Sequence, residues 1–180
     1  AVAAIGEVLG RLHRYPDGSA FALTRKLARH LQVGPEQIVL GNGSDEILGM
    51  LSRVLLGPGD EAVMPRPSFL MYEISVRASG ASPVFVPLKD LAIDLDRVAG
   101  AVGERTRIVF LCNPNNPTGS VIDQNRMSDF LAALPEGIVV VLDEAYIEFA
   151  RDPAAARGLT LMDNDRPLVI LRTFSKAYGL

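Results

Sequence analysis

An α/β fold, with a mostly parallel sheet and crossover helices on both of its faces, is what this 180-residue sequence predicts. Two observations carry the prediction. Short β-rich runs alternate along the chain with amphipathic stretches of helical period. Two of those runs, IVFLC and IVVVL, are apolar at every position instead of every second one, so both faces of those strands must be covered, as in central parallel strands.

Taken in order, the first helix is expected over Ala20 to Leu31 and a first strand over Gln37 to Leu40, ending in a glycine-rich turn. A helix over Ser44 to Leu56 follows, stopped by Gly57-Pro58-Gly59-Asp60, which turns the chain into a strand over Glu61 to Met64. Helix Ser68 to Ala78, strand Pro83 to Val86, helix Leu95 to Val102 and strand Arg107 to Cys112 continue the alternation. Helix Asp123 to Leu134 and strand Ile138 to Leu142 come next, then a polar excursion over Arg151 to Arg157 and a last strand over Leu168 to Leu171. Residues 1–180 read as one domain, because a chain of this length buries one sizeable core. Both ends look cut: the sequence lacks an initiator Met and stops at Ala177-Tyr178-Gly179-Leu180 without a helix-stop signal.

Composition narrows the function classes. With 48% hydrophobic and 22% charged residues the chain is a packed globule, and a net charge of -3 offers no long-range attraction to nucleic acid or anionic lipid. The single cysteine, Cys112, excludes an internal disulfide and a cysteine-cluster metal site, and reads as a small buried hydrophobe in a reducing compartment. Apolar runs are broken well before the length of a bilayer span and the start has no signal-peptide pattern, so a cytoplasmic protein is expected.

In open parallel sheets ligands bind beyond the carboxyl ends of the strands, which are therefore the places to search. Gly41-Asn42-Gly43-Ser44-Asp45-Glu46 runs straight into a helix: either a phosphate site made by free N–H groups and the helix dipole, or an ordinary capped helix with Ser44 as N-cap. Pro65-Arg66-Pro67-Ser68-Phe69 is a second strand end, where Phe69 is placed to stack on a heteroaromatic ring, or else to pack with Tyr72 in the core. Asn113-Pro114-Asn115-Asn116-Pro117-Thr118-Gly119 is a rigid turn whose amides can donate to an oxygen such as a phenolate. Asp143-Glu144-Ala145-Tyr146 ends a fully buried strand, so Asp143 calls for a cation or hydrogen bonds. A protonated ring nitrogen serves; a metal on Asp143 and Glu144 is the competing reading, with no histidine or further acid nearby at ligand spacing. Leu171-Arg172-Thr173-Phe174-Ser175-Lys176 brings a lysine just past a buried strand, behind two hydroxyl residues, where it can act as a Schiff-base nucleophile. Together these ends ask for one ligand with a phosphate, a phenolic oxygen, a basic ring nitrogen and an aldehyde, the groups of pyridoxal phosphate.

With these motifs in order, the chain resembles the fold-type-I pyridoxal-phosphate-dependent aminotransferases, and among them the histidinol-phosphate aminotransferase subfamily. RYPD at Arg14 to Asp17, GNGSDE, PSFLMY, NPNNPTG, DEAYIEF and RTFSKAYGL carry the resemblance from about Arg14 to the end. It implies that Lys176 holds the cofactor as a Schiff base and shuttles a proton, that Asp143 pairs with the pyridinium nitrogen, and that Asn116 and Tyr146 hold the phenolate oxygen. It further implies that Phe69 stacks on the ring and that the backbone of Ser44 and Asp45, with the Thr173 and Ser175 hydroxyls, binds the phosphate. Tyr15 would reach the cofactor phosphate of a neighbouring subunit, which implies a homodimer.

The resemblance therefore implies the large, cofactor-binding domain of an aminotransferase, without the small C-terminal domain and its substrate-binding arginine. The implied reaction moves an amino group between histidinol phosphate and 2-oxoglutarate. Aromatic amino-acid aminotransferases of the same subfamily, phosphothreonine-type decarboxylases and the cofactor-sensing module of some transcription regulators are the alternatives, as is a fragment with no activity of its own. No nucleic-acid, membrane or metal partner is expected.

Overall fold

The computed structural model describes residues 2–162 and 166–180, and it is the expected α/β fold. After α1 (Val2–Val8), α2 (Phe21–Leu31) and α3 (Gly43–Leu55) the chain alternates β1 (Glu61–Arg66), α4 (Leu70–Ala78), β2 (Ser82–Pro87), α5 (Leu95–Gly100), β3 (Thr106–Cys112), α6 (Gln124–Ala133), β4 (Val139–Asp143) and β5 (Leu168–Leu171). The five strands form one sheet in the order β2-β1-β3-β4-β5, and every pairing is parallel. The chain winds outward from β1 to β2, then crosses back past β1 to β3. The strand order thus reverses between β1 and β3, the place where sheets of this kind open a crevice at their carboxyl ends.

Helices cover both faces. On one, Leu48 of α3 with Tyr72 and Val76 of α4 pack on Ala62, Met64, Ile108 and Phe110. On the other, Leu95 and Val98 of α5 with Met127, Phe130 and Leu131 of α6 pack on Val63, Val109, Leu111, Val140 and Leu142. The odd and even residues of β3 therefore enter opposite cores, which is why IVFLC is apolar throughout. The breaker before β1 works as read: Asp60 accepts from the Gly57 N–H (3.0 Å) and Gly59 takes a φ of 95° that favours glycine.

Two expectations are corrected. Gln37 to Leu40 is not a strand: Pro35–Gln37 forms a 3₁₀ turn, and Ile38 to Leu40 have no ladder partner among the described residues, with Val39 70% exposed. A branched apolar run becomes a strand only where a neighbouring edge accepts it, and this one passes directly into α3. The alternative reading of the glycine-rich turn, with Ser44 as N-cap, also falls, because the helix begins at Gly43, behind Asn42. The helix α1 was not legible in the sequence; none of its residues is buried, so it has no core face to write an apolar pattern. Asp17 of RYPD has a local task, accepting from the Ser19 and Phe21 N–H groups (3.1 and 2.7 Å) and so capping the entry to α2.

Candidate active site

The carboxyl ends of β3 and β4 are tied together by Asn113. Its N–H donates to the Asp143 carbonyl (2.8 Å), its side-chain oxygen accepts from the Ile122 N–H (2.8 Å), and its amide nitrogen donates to the Ala156 carbonyl (2.9 Å). Asn115 is equally occupied, accepting from the Ser68 hydroxyl (2.9 Å) and donating to Thr118 Oγ1 (2.9 Å), which fixes the β1 and β3 ends to each other across the point of strand reversal. Asn116 is half-buried, and its side-chain amide makes no hydrogen bond among the described residues. Of the three asparagines in the turn, the one left with spare donors is the one expected to face a ligand.

Asp143, the last residue of β4, is 2% exposed. Its Oδ1 accepts from the Ala145 N–H (3.0 Å) and its Oδ2 from the Tyr72 hydroxyl (2.8 Å). Among the described residues no cationic side chain reaches it. Burial raises its carboxyl above the ordinary value, while the Tyr72 and Ala145 donors act in the opposite sense. The ring of Tyr72 stacks on Phe110 (centroids 5.0 Å apart, planes 8° from parallel), and Phe69 meets its edge at 5.6 Å. Burial, reinforced by the charge of Asp143, holds the Tyr72 phenol well above its usual range and pushes the Cys112 thiol up to about 12. Both therefore stay protonated, and Tyr72 is fixed as a donor.

Tyr72 is the site residue that sequence reasoning left in the core. Replacing it by phenylalanine keeps the Phe110 stack and removes the donor to a buried carboxylate, which should cost about 1.5–3 kcal/mol in urea unfolding where Asp143 is ionised. An unchanged midpoint at neutral pH would show that Asp143 does not depend on it.

At the other end of the expected site, α3 starts with Gly43 at a φ of 74°, open space where a Cβ would stand, and Glu46 accepting from the Asn42 N–H (2.6 Å). The N–H groups of Ser44 and Asp45 have no acceptor among the described residues. A thirteen-residue helix points its positive end there, which suits an anion. Beyond β5, the hydroxyls of Thr173 and Ser175 lie 2.8 Å apart and the Ser175 N–H donates to Thr173 Oγ1 (3.1 Å). Lys176 is exposed, with Nζ 6.0 Å from the ring centroid of the half-buried Tyr146. A cleft of about 540 Å³ is lined by Asn116, Tyr146, Phe149 and Arg151 among others; it passes one side of the expected site, and Asp143 and Lys176 do not line it. Tyr15 is fully exposed, without a side-chain hydrogen bond among the described residues, and stands apart from the rest.

The donor set fits pyridoxal phosphate. A buried carboxylate lacking a cation suits a protonated ring nitrogen, spare amide and phenol donors suit a phenolate, and free helix amides suit a phosphate. Glu144 is taken by Arg172 and Gly158, and no group of three or more metal-binding side chains occurs among the described residues. No helix among them is long and apolar enough to cross a membrane.

The chain is similar to known proteins over nearly its whole length. The chain is 50% identical over 179 residues to histidinol-phosphate aminotransferase 2 of Carboxydothermus hydrogenoformans, covering 99% of this chain and 49% of that protein. It is 48% identical over 180 residues to the aromatic amino acid aminotransferase of Cutibacterium acnes, covering 99% and 51%. Among solved structures, the histidinol-phosphate aminotransferase of Sinorhizobium meliloti in complex with pyridoxal-5'-phosphate superposes with a TM-score of 0.91 at 36% identity, over 99% of this chain and 49% of that one. The chain thus spans about half the length of these relatives. The sequence profile of aminotransferase class I and II matches residues 4–180, and it establishes that the chain belongs to that family, whose cofactor is pyridoxal phosphate.

Proposed function

We propose that the protein containing this chain is a pyridoxal-phosphate-dependent aminotransferase that moves an amino group between histidinol phosphate and 2-oxoglutarate, and that this chain supplies the cofactor-binding part. What supports the reaction class most is Asp143, a carboxylate closed off from water at a strand end with two donors and no cation among the described residues. When bound, pyridoxal phosphate supplies an electron-withdrawing ring able to stabilise negative charge at the substrate α-carbon. Asp143 keeps the proton on the ring nitrogen by charge attraction, and Tyr72 holds the Oδ2 of Asp143 in place for it. The Asn116 amide and the Tyr146 hydroxyl would donate to the phenolate oxygen, and Phe69 would pack against the ring. The Ser44 and Asp45 N–H groups, with the Thr173 and Ser175 hydroxyls, take the phosphate. Lys176 Nζ would hold the cofactor and, when free, would move the proton at the substrate α-carbon. Tyr15, exposed and unengaged, serves the phosphate site of a second copy in a homodimer.

Histidinol phosphate as amino donor is supported by the 50% identical relative of that name and by the superposition on the Sinorhizobium enzyme. An aromatic amino acid is the second reading, favoured by the 48% identity to the Cutibacterium protein. A substrate phosphate demands cationic partners that a neutral side chain does not use, so the two readings part in kinetics. For the intact protein with 2-oxoglutarate as acceptor, kcat/KM for histidinol phosphate should exceed that for phenylalanine by at least about tenfold. Phenylalanine equal or better would assign the protein to the aromatic enzymes and leave the Lys176 chemistry untouched.

A further inference from the structure

Glu144 is a buried acid that the proposed chemistry does not use. Its side chain is fully buried beside Asp143, yet it faces other partners. Oε1 accepts from the Gly158 N–H (2.6 Å), and both Nε and Nη2 of Arg172 converge on Oε2 (3.0 and 2.8 Å). Its backbone N–H also donates to the Leu171 carbonyl (2.9 Å). Arg172 opens the segment that carries Lys176 four residues later. The far side of that segment is fastened as well, by the Tyr178 hydroxyl donating to Glu148 Oε1 (3.1 Å). Between these fastenings the Lys176 side chain itself is exposed. The stretch from the end of β4 onward therefore divides its labour: Asp143 and Tyr146 serve the proposed ligand site, while Glu144 and Glu148 grip the segment that carries Lys176.

We propose that Glu144 is a positioning residue which, through Arg172, sets where Lys176 Nζ stands relative to the cofactor aldehyde. This rests on the reading of Lys176 given under Proposed function. A full charge buried beside Asp143 is costly and survives only because its partner is held close. Attack of an amine on an aldehyde is steeply sensitive to position, and a displacement of one ångström can cost about a hundredfold. Glu144→Gln is the informative change. Its amide oxygen still accepts from Gly158, whereas its NH2 opposes the Arg172 donors, and Arg172, already 32% exposed, is free to turn into water.

In the intact protein, stripped of cofactor, pyridoxal phosphate is added and the rate at which borohydride fixes it on Lys176 is followed by peptide mass mapping. Glu144→Gln should slow that attachment by about tenfold or more. Arg172→Gln should match it, and the double variant should be no slower than either single by more than about twofold, as for two residues acting as one unit. In a Lys176→Ala background, the dissociation constant for pyridoxal phosphate should stay within about twofold when Glu144→Gln is added, because a residue that acts through Lys176 has nothing left to act on. Attachment at the parent rate in Glu144→Gln overturns the proposal. So does an equal loss of affinity in the Lys176→Ala background, which is the mark of general structural damage. Absence of label on Lys176 in the parent overturns the underlying reading too, and is recognised because the parent has already failed.

Discussion

Replacing Lys176 by alanine is expected to lower aminotransferase turnover of the intact protein by about a thousandfold or more, since one amine is asked both to hold the cofactor and to carry the proton. The other lysines, Lys26 on α2 and Lys89 after β2, are exposed and far along the chain from the strand ends that carry the acid, amide and hydroxyl groups. Only Lys176 follows directly on a strand paired with β4, whose last residue is Asp143. Borohydride reduction of the cofactor-loaded protein should therefore leave the pyridoxyl group on the peptide containing Lys176. Label found mainly on Lys26 or Lys89, or an alanine variant that still turns over, would move the chemistry elsewhere.

Asp143→Asn should separate activity from stability in opposite directions. Turnover falls by at least about a hundredfold, because a neutral amide does not keep the ring nitrogen protonated through charge attraction. The loss should lie in the proton-transfer step, so equal single-turnover rates for variant and parent would refute the role. The cofactor-free protein behaves the other way. Burial raises the Asp143 carboxyl above its ordinary 3.8, so over the window above that value the folded chain keeps a proton that the unfolded chain has released. Stability then declines as pH rises through the window, and below 3.8 the effect is gone. Asparagine has no charge to bury, its oxygen can accept from the Ala145 N–H, and the Tyr72 hydroxyl can turn to accept from its NH2. Without cofactor, the variant should melt above the parent at neutral pH, with the gap closing toward about pH 4, the ordinary carboxyl range. A lower melting temperature at neutral pH would mean that Asp143 is stabilised by something other than the ligand it awaits.

Much of this was legible in the sequence because parallel strands buried on both faces announce themselves as unbroken apolar runs. The strand Leu168 to Leu171 has the same bounds in sequence and structure, IVFLC lies within β3, and IVVVL starts one residue before β4 and supplies its first four residues. Local signals failed where a partner decides the outcome. Ile38 to Leu40 has strand composition and no ladder partner among the described residues. Tyr72 looks like any core aromatic until the fold brings it to Asp143, 71 residues on. The three asparagines of NPNNPTG are indistinguishable by type, and only a count of their hydrogen bonds separates Asn113 and Asn115, which build the turn, from Asn116, which is spare. Glu144 and Arg172 are 28 residues apart, so neither carries a mark of the other.

The all-parallel order has a kinetic meaning as well. No neighbouring pair of strands in this sheet can be closed by a hairpin; each awaits a crossover, and sheets of such long-range contacts form slowly. Among the described residues β5 follows the other strands and pairs with β4. Lys176 follows five residues after it. Lys176 thus nears the acid at the end of β4 only when β5 has joined β4. If Lys176 captures the aldehyde as proposed, that capture during refolding should report the docking of β5 on β4 and lag behind any optical sign of helix formation.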